Sequence, residues 1–128
     1  MVSGVVTVAP AGASTVIDGC VVVAHPNAGH HTRCPGADLA AADLSGLDLN
    51  YADLAGADLS PLVLLPGVTQ TPTNLDDANL SHANLTLANL TAASTTGADL
   101  AHLRWMSTIC PDGTNSNDDG NTCINNLG

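Results

Sequence analysis

Residues 37–64 read Ala37-Asp-Leu-Ala-Ala, Ala42-Asp-Leu-Ser-Gly, Leu47-Asp-Leu-Asn-Tyr, Ala52-Asp-Leu-Ala-Gly, Ala57-Asp-Leu-Ser-Pro, Leu62-Val-Leu64. Leucine falls at 39, 44, 49, 54, 59 and 64, every fifth position. A second run continues the step at Leu75, Leu80, Leu85, Leu90, Thr95 and Leu100. Alanine usually stands two residues before the leucine. Asp or Asn stands one before it at ten positions, among them Asp38, Asp43, Asp48, Asn79, Asn84 and Asn89. Leu64 and Leu75 are eleven apart instead of ten, which reads as one inserted residue near Leu65-Pro66-Gly67, within 65–74.

A period of five fits neither an α-helix nor a flat strand. Five residues can instead form one short side of a coil plus its corner, and coils stack at the strand spacing of about 4.8 Å. Leucine and the alanine two before it then face inward. If four such sides close a coil, as the resemblance of this A(D/N)LXX pattern to the pentapeptide-repeat family implies, a one-residue insertion predicts four interior columns: Leu39, Leu59, Leu80, Leu100; Leu44, Leu64, Leu85, Trp105; Leu49, Leu90, Cys110; and Leu54, Leu75, Thr95. Each buried leucine stabilises by roughly 1.5–3 kcal/mol, so these columns dominate the expected fold.

The A(D/N)LXX pattern of residues 37–105 resembles the pentapeptide-repeat family. That resemblance implies an all-β fold, a right-handed quadrilateral β-helix, here of about four coils. Its two ends need caps, because an open solenoid exposes apolar surface and unpaired strand edges. Three regions follow: an N-terminal segment and cap (1–36), the solenoid (37–105) and a C-terminal cap (106–128). Val16-Ile17 and Val21-Val22-Val23 read as short strands around the turn signal Asp18-Gly19. Residues 1–13, with Ala11-Gly-Ala13, fit either the tail of a signal peptide or a first strand.

Composition supports a narrow interior. Hydrophobic residues make up 45% of the 128, with no Phe, one Trp and one Tyr, so Leu, Val and Ala must fill the core. All twelve acidic residues are Asp, and Arg33 and Arg104 are the only Lys or Arg, giving a net charge of −10. That charge excludes nucleic acid as a partner, since phosphate contacts need Lys and Arg. No stretch approaches the roughly 20 apolar residues of a membrane span.

Four cysteines fall in two close pairs, Cys20 with Cys34 and Cys110 with Cys123. Their number and spacing favour two disulfides and an oxidising compartment over free thiols or a metal site. The cysteine-bracketed ends, including Cys110-Pro-Asp-Gly-Thr-Asn…Cys123, resemble exported bacterial members of the family. This implies a secreted or cell-envelope location.

Candidate chemistry is sparse. The repeat aspartates occupy the family's structural Asp/Asn position. His25, His30 and His31, with Asp18 nearby, form the densest group of potential metal ligands, but adjacent histidines on extended chain point apart. Residues 115–120 alternate Asn and Asp before Gly120 like a calcium loop, yet Asn126 stands where a bidentate Glu belongs. Three N-glycosylation sequons at Asn79, Asn84 and Asn89 arise automatically from the repeat. No catalytic, cofactor or metal residues are assigned, and no cofactor is expected.

The reading is a non-enzymatic, exported, rigid acidic scaffold for an unknown protein partner, its oligomeric state open with a monomer favoured. The family supplies an alternative, since some relatives mimic DNA and bind DNA gyrase. A short tube, the cysteines and the lack of an apolar C-terminal helix weigh against it. Recognition of ice or polysaccharide by a Ser/Thr ladder is disfavoured because Ser81, Thr86 and Thr91 fall on different faces.

Overall fold

The computed structural model describes residues 6–7, 15–61, 71–118 and 120–127. Three short strands, β1 (Val6–Thr7), β2 (Thr15–Ile17) and β3 (Cys20–Val22), pair antiparallel in the order β1-β2-β3. Asp18 and Gly19 join β2 to β3 with φ of 48° and 82°. Two consecutive positive φ values make a type I′ turn, whose twist suits a tight hairpin. Ile17, Cys20 and Val22 bury one face of this hairpin, while Val16 and Val21 remain exposed.

From residue 33 onward the backbone pairs with itself in parallel, one residue per side. Arg33 bridges Asp53, Asp38 bridges Asp58, and Asn74, Asn79, Asn84 and Asn89 bridge Ser94, Asp99, Arg104 and Ile109. Each of these pairs is 20 residues apart, four pentads to a coil. The chain is a β-solenoid.

Side-chain burial follows the pentad. Leu39, Leu44, Leu49, Leu54, Leu59, Leu75, Leu80, Leu85 and Leu90 are at most 1% exposed, and the alanines at 42, 52, 57, 78, 83 and 88 are equally enclosed. Leu100 lies in the last coil and is only partly buried, as is Leu103. Trp105 is buried near the C-terminal end.

The pentad also accounts for every backbone N–H, which is the physical reason for its composition. In the side centred on Leu85, Asn84 N–H donates to Ala52 O (2.8 Å) in one neighbouring coil, and Leu85 N–H donates to Arg104 O (3.0 Å) in the other. Leu87 N–H reaches Met106 O (2.8 Å), and Ala88 N–H closes the corner onto Leu85 O (3.0 Å). The remaining donor, Thr86 N–H, meets the Asn84 side chain (Oδ1, 3.1 Å). Asp38, Asp43, Asp48, Asp53, Asp58, Asn74, Asn79, Asn89 and Asp99 accept the same bond two residues on. A side chain of Asp or Asn length curls back to its own turn in this way.

Twelve corners carry a left-handed residue three after the ladder position that Asp or Asn usually fills: Gly36, Ala41, Gly46, Tyr51, Gly56, Asp77, His82, Leu87, Ala92, Gly97, His102 and Ser107. A bond from residue i+3 to i with only i+2 at positive φ is a type II turn.

Across the interruption the pairing step is 31, not 20: Asp43 bridges Asn74, Asp48 bridges Asn79, Asp53 bridges Asn84 and Asp58 bridges Asn89. The excursion is therefore eleven residues beyond a coil, and the one-residue insertion expected from the sequence is incorrect. The columns that form are Cys34, Leu54, Leu85, Trp105; Leu39, Leu59, Leu90, Cys110; Leu44, Leu75, Thr95; and Leu49, Leu80, Leu100. Pairs on one side of the excursion, such as Leu39 with Leu59 and Leu80 with Leu100, keep their expected partners. Pairs across it shift by two faces, because insertions of one and eleven leave the leucine step in the same phase. Leu64 and Leu65-Pro66-Gly67 lie outside the described residues, as do residues 1–5 and 8–14.

Both disulfides form within the columns. Cys34 occupies the leucine position at the foot of one column and bonds Cys20 of the hairpin, with Cα atoms 5.7 Å apart. Cys110 occupies the top of the adjacent column and bonds Cys123, at 5.4 Å. The C-terminal cap adds a 3-10 turn, Ser116–Asp118.

Candidate functional site

The outward Asp and Asn side chains form columns one residue before the leucines, and their Oδ1 atoms face their own backbone. Ser and Thr hydroxyls add a second bond to five such acceptors: Asp43, Asp58, Asn79, Asn89 and, in the C-terminal cap, Asp112. Ser45 donates both N–H and Oγ–H to Asp43, holding its carboxyl below the ordinary carboxylate value, and Thr114 does the same for Asp112. These carboxylates serve as turn acceptors. Asn79, Asn84 and Asn89 accept like the aspartates and sit on three different faces, so Ser81, Thr86 and Thr91 form no common array.

Three buried threonines take the alanine position where the stack begins, resumes or ends. Thr32 Oγ1 accepts from Val23 N–H of the hairpin (2.9 Å). Thr73 Oγ1 donates to Leu39 O (3.1 Å) where the chain rejoins after the excursion. Thr108 Oγ1 donates to Leu85 O (2.7 Å), and its N–H reaches Ser116 Oγ (3.1 Å) in the cap. All three are fully enclosed, so their hydroxyls satisfy backbone groups that the regular ladder leaves open.

The loop from 115 to 120 is occupied with capping. Asn115 Oδ1 accepts from Asn117 N–H, while Asn117 accepts from Ser107 N–H and donates to Ser107 Oγ. Among the described residues no group of three or more His, Cys, Asp or Glu is placed to hold a metal ion. The histidine group divides: His25 is exposed at a positive-φ turn, and His30 pairs with Asn27 in a small bridge.

His31 joins a different assembly. It stands two residues before Arg33, as Tyr51, His82 and His102 stand before Asp53, Asn84 and Arg104, which the ladder pairs in sequence. All four therefore occupy one corner of successive coils. The Tyr51 and His82 rings stack at 4.7 Å and 16°, and the His82 and His102 rings at 4.9 Å and 24°. Beside them runs the column Arg33, Asp53, Asn84, Arg104, which contains both arginines of the chain. A shallow open groove of about 390 Å³ lies between, lined by the four corner side chains with Asp53, Ala83, Asn84 and Arg104. His31 Nδ1 is buried there without a hydrogen-bond partner.

A larger open concavity of about 500 Å³ lies at the C-terminal end, between Ala92–Thr96 and Pro111 with Leu127. Its lining has hydroxyls and methyl groups but no ionisable side chain. The corner groove is thus the richer candidate.

The pentad ladder is what a family model recognises. The pentapeptide-repeat model matches eight copies, over residues 30–60 and 73–104, and its gap coincides with the change of step from 20 to 31. The chain belongs to the pentapeptide-repeat family. Among solved structures it is similar to HetL, a pentapeptide-repeat protein involved in heterocyst differentiation regulation from the cyanobacterium Nostoc sp. strain PCC 7120. Identity is 31% over 70% of this chain and 45% of that one, so the alignment spans under half of HetL, and the TM-score is 0.27. Comparison with functionally curated proteins gives no match. The ring column was not legible from the pentapeptide repeat alone. Its spacing of 20, 31 and 20 becomes visible only once the step across the excursion is known.

Proposed function

We propose that this pentapeptide-repeat protein is an exported, non-enzymatic scaffold: a rigid acidic rod that presents its faces to a protein partner. The observation that carries the reading is the pair of disulfides built into the leucine columns at the two ends of the solenoid. Such bonds persist in oxidising compartments and are rare where glutathione keeps thiols reduced. No free cysteine occurs among the described residues, and no helix among them is long and apolar enough to cross a membrane. The non-enzymatic part is supported by the repeat Asp and Asn side chains, which are engaged by backbone N–H groups. A right-handed coil, about four coils in all, accords with the strong bias of parallel crossovers toward that hand.

The test combines cell fractionation of the natural full-length protein with alkylation of its thiols before and after reduction. Export predicts recovery outside the cytoplasm with all four cysteines blocked until reductant is added. Recovery in the cytoplasm with alkylatable cysteines would overturn the proposal.

A further inference from the structure

The corner column of His31, Tyr51, His82 and His102 is not needed to build the fold. Other corners use Gly36, Gly46, Gly56 and Gly97, or the ring-free Ala41, Asp77, Leu87, Ala92 and Ser107, at the same left-handed position. Glycine takes that conformation freely, whereas a ring-bearing residue there is strained. On this corner alone, three consecutive left-handed positions carry rings: Tyr51 (φ 62°), His82 (61°) and His102 (56°). The chain's single tyrosine and three of its five histidines gather in this one column, beside the column that holds both arginines, and this concentration of side chains that the repeat does not call for points to a function in the groove.

We infer that the groove is a binding site for a linear, neutral polysaccharide lying parallel to the solenoid axis. Its lining repeats planar hydrogen-bonding groups at the coil spacing: imidazole edges at 31, 82 and 102, the phenol of Tyr51, and the heads of Asp53, Asn84 and Arg104. Such a row can donate to and accept from successive hydroxyls of an extended chain. Competing ligands fit less well. A polyanion meets a net charge of −10, with Asp53 inside the groove and Asp48 and Asp99 on the preceding face. An extended peptide would add to a sheet edge, and this corner lies on paired coils. For an apolar molecule the groove offers only the Ala83 methyl and ring carbons. This inference is independent of the export proposal.

Affinity electrophoresis in native gels cast with soluble polymers tests it, using hydroxyethyl cellulose, xylan and dextran as neutral probes and polygalacturonate as the acidic one. The protein is expected to be retarded by at least one neutral polymer, with retention unchanged by 0.2 M salt (about an 8 Å screening length or less). A Tyr51→Gly/His82→Gly/His102→Gly variant is expected to lose at least about tenfold in apparent affinity while melting no lower than the parent, because glycine relieves the corners. Arg104→Gln is expected to weaken retention with the fold unchanged. No retardation by any neutral polymer would overturn the inference, as would retention by polygalacturonate alone that salt abolishes. A triple-glycine variant that binds normally, or melts well below the parent, would equally overturn it by assigning the rings no role or a purely structural one.

Discussion

Replacing Asn84 by Ala isolates the interaction that favours Asp or Asn in the pentad. The substitution removes one acceptor, and Thr86 N–H loses its 3.1 Å bond with no carbonyl in reach, since neighbouring N–H groups already hold the adjacent coils. An unsatisfied buried donor costs about 1–3 kcal/mol. Thr86 is half-buried, so water recovers part of this, and the expected loss is about 1–2 kcal/mol. For a domain of this size that lowers the melting temperature by roughly 3–10 °C. Asn84→Asp keeps the acceptor in place and should fall within about 0.5 kcal/mol of the parent, the usual range for surface substitutions. Asn84→Gln carries the same amide one methylene too far and should behave like Ala. Urea unfolding of the three variants under non-reducing conditions gives the comparison. Stability of Asn84→Ala equal to the parent, or of Asn84→Gln equal to Asn84→Asp, would refute the accounting of N–H groups.

Other perturbations follow from the same structure. Leu80→Ala, in a column with coils on both sides, should lose about 2–5 kcal/mol, and Leu100→Ala less, because Leu100 is only partly buried. Denaturant midpoints would show the order. Reduction of both disulfides should lower stability by about 3 kcal/mol for each loop in the chain-entropy model, read as a drop in melting temperature with reductant. Acid should also destabilise the fold. Asp43 and Asp112 have carboxyl pKa values below 3.8, so their contribution is complete above the unfolded value and is lost as pH falls through the lower, folded one. Melting temperatures at pH 7 and pH 3 should differ in that direction, and less so in Ser45→Ala/Thr114→Ala.

The five-residue unit, the inward leucines and the cysteine pairs were legible because each is a local spacing. Register across the excursion was not. Leu59 can be followed by Leu80 or by Leu90 without disturbing the step of five, and only the folded pairing of Asp58 with Asn89 distinguishes them. Cys110 was expected above Leu90 and stands there, whereas Cys34 looked like a flanking residue and in fact fills the leucine position at the foot of a column. Thr32, Thr73 and Thr108 carried a readable signal, a hydroxyl where alanine is the rule, at the points where the ladder is interrupted. The corner rings were hidden by the same register error, since Tyr51 and His82 are neighbours only if the step is 31.

Cross-linking across the excursion tests the central claim, the stacking of coils in this register. Ala55 and Thr86 occupy equivalent positions in adjacent coils, next to the Gly56 N–H to Thr86 O bond of 2.8 Å. Parallel neighbours at about 4.8 Å are within disulfide reach. Ala55→Cys with Thr86→Cys should oxidise to a bond between those two residues, identified by peptide mapping. A one-residue insertion would instead place residue 55 beside 76. Efficient cross-linking of Ala55→Cys with Asp76→Cys, and none with Thr86→Cys, would contradict the account.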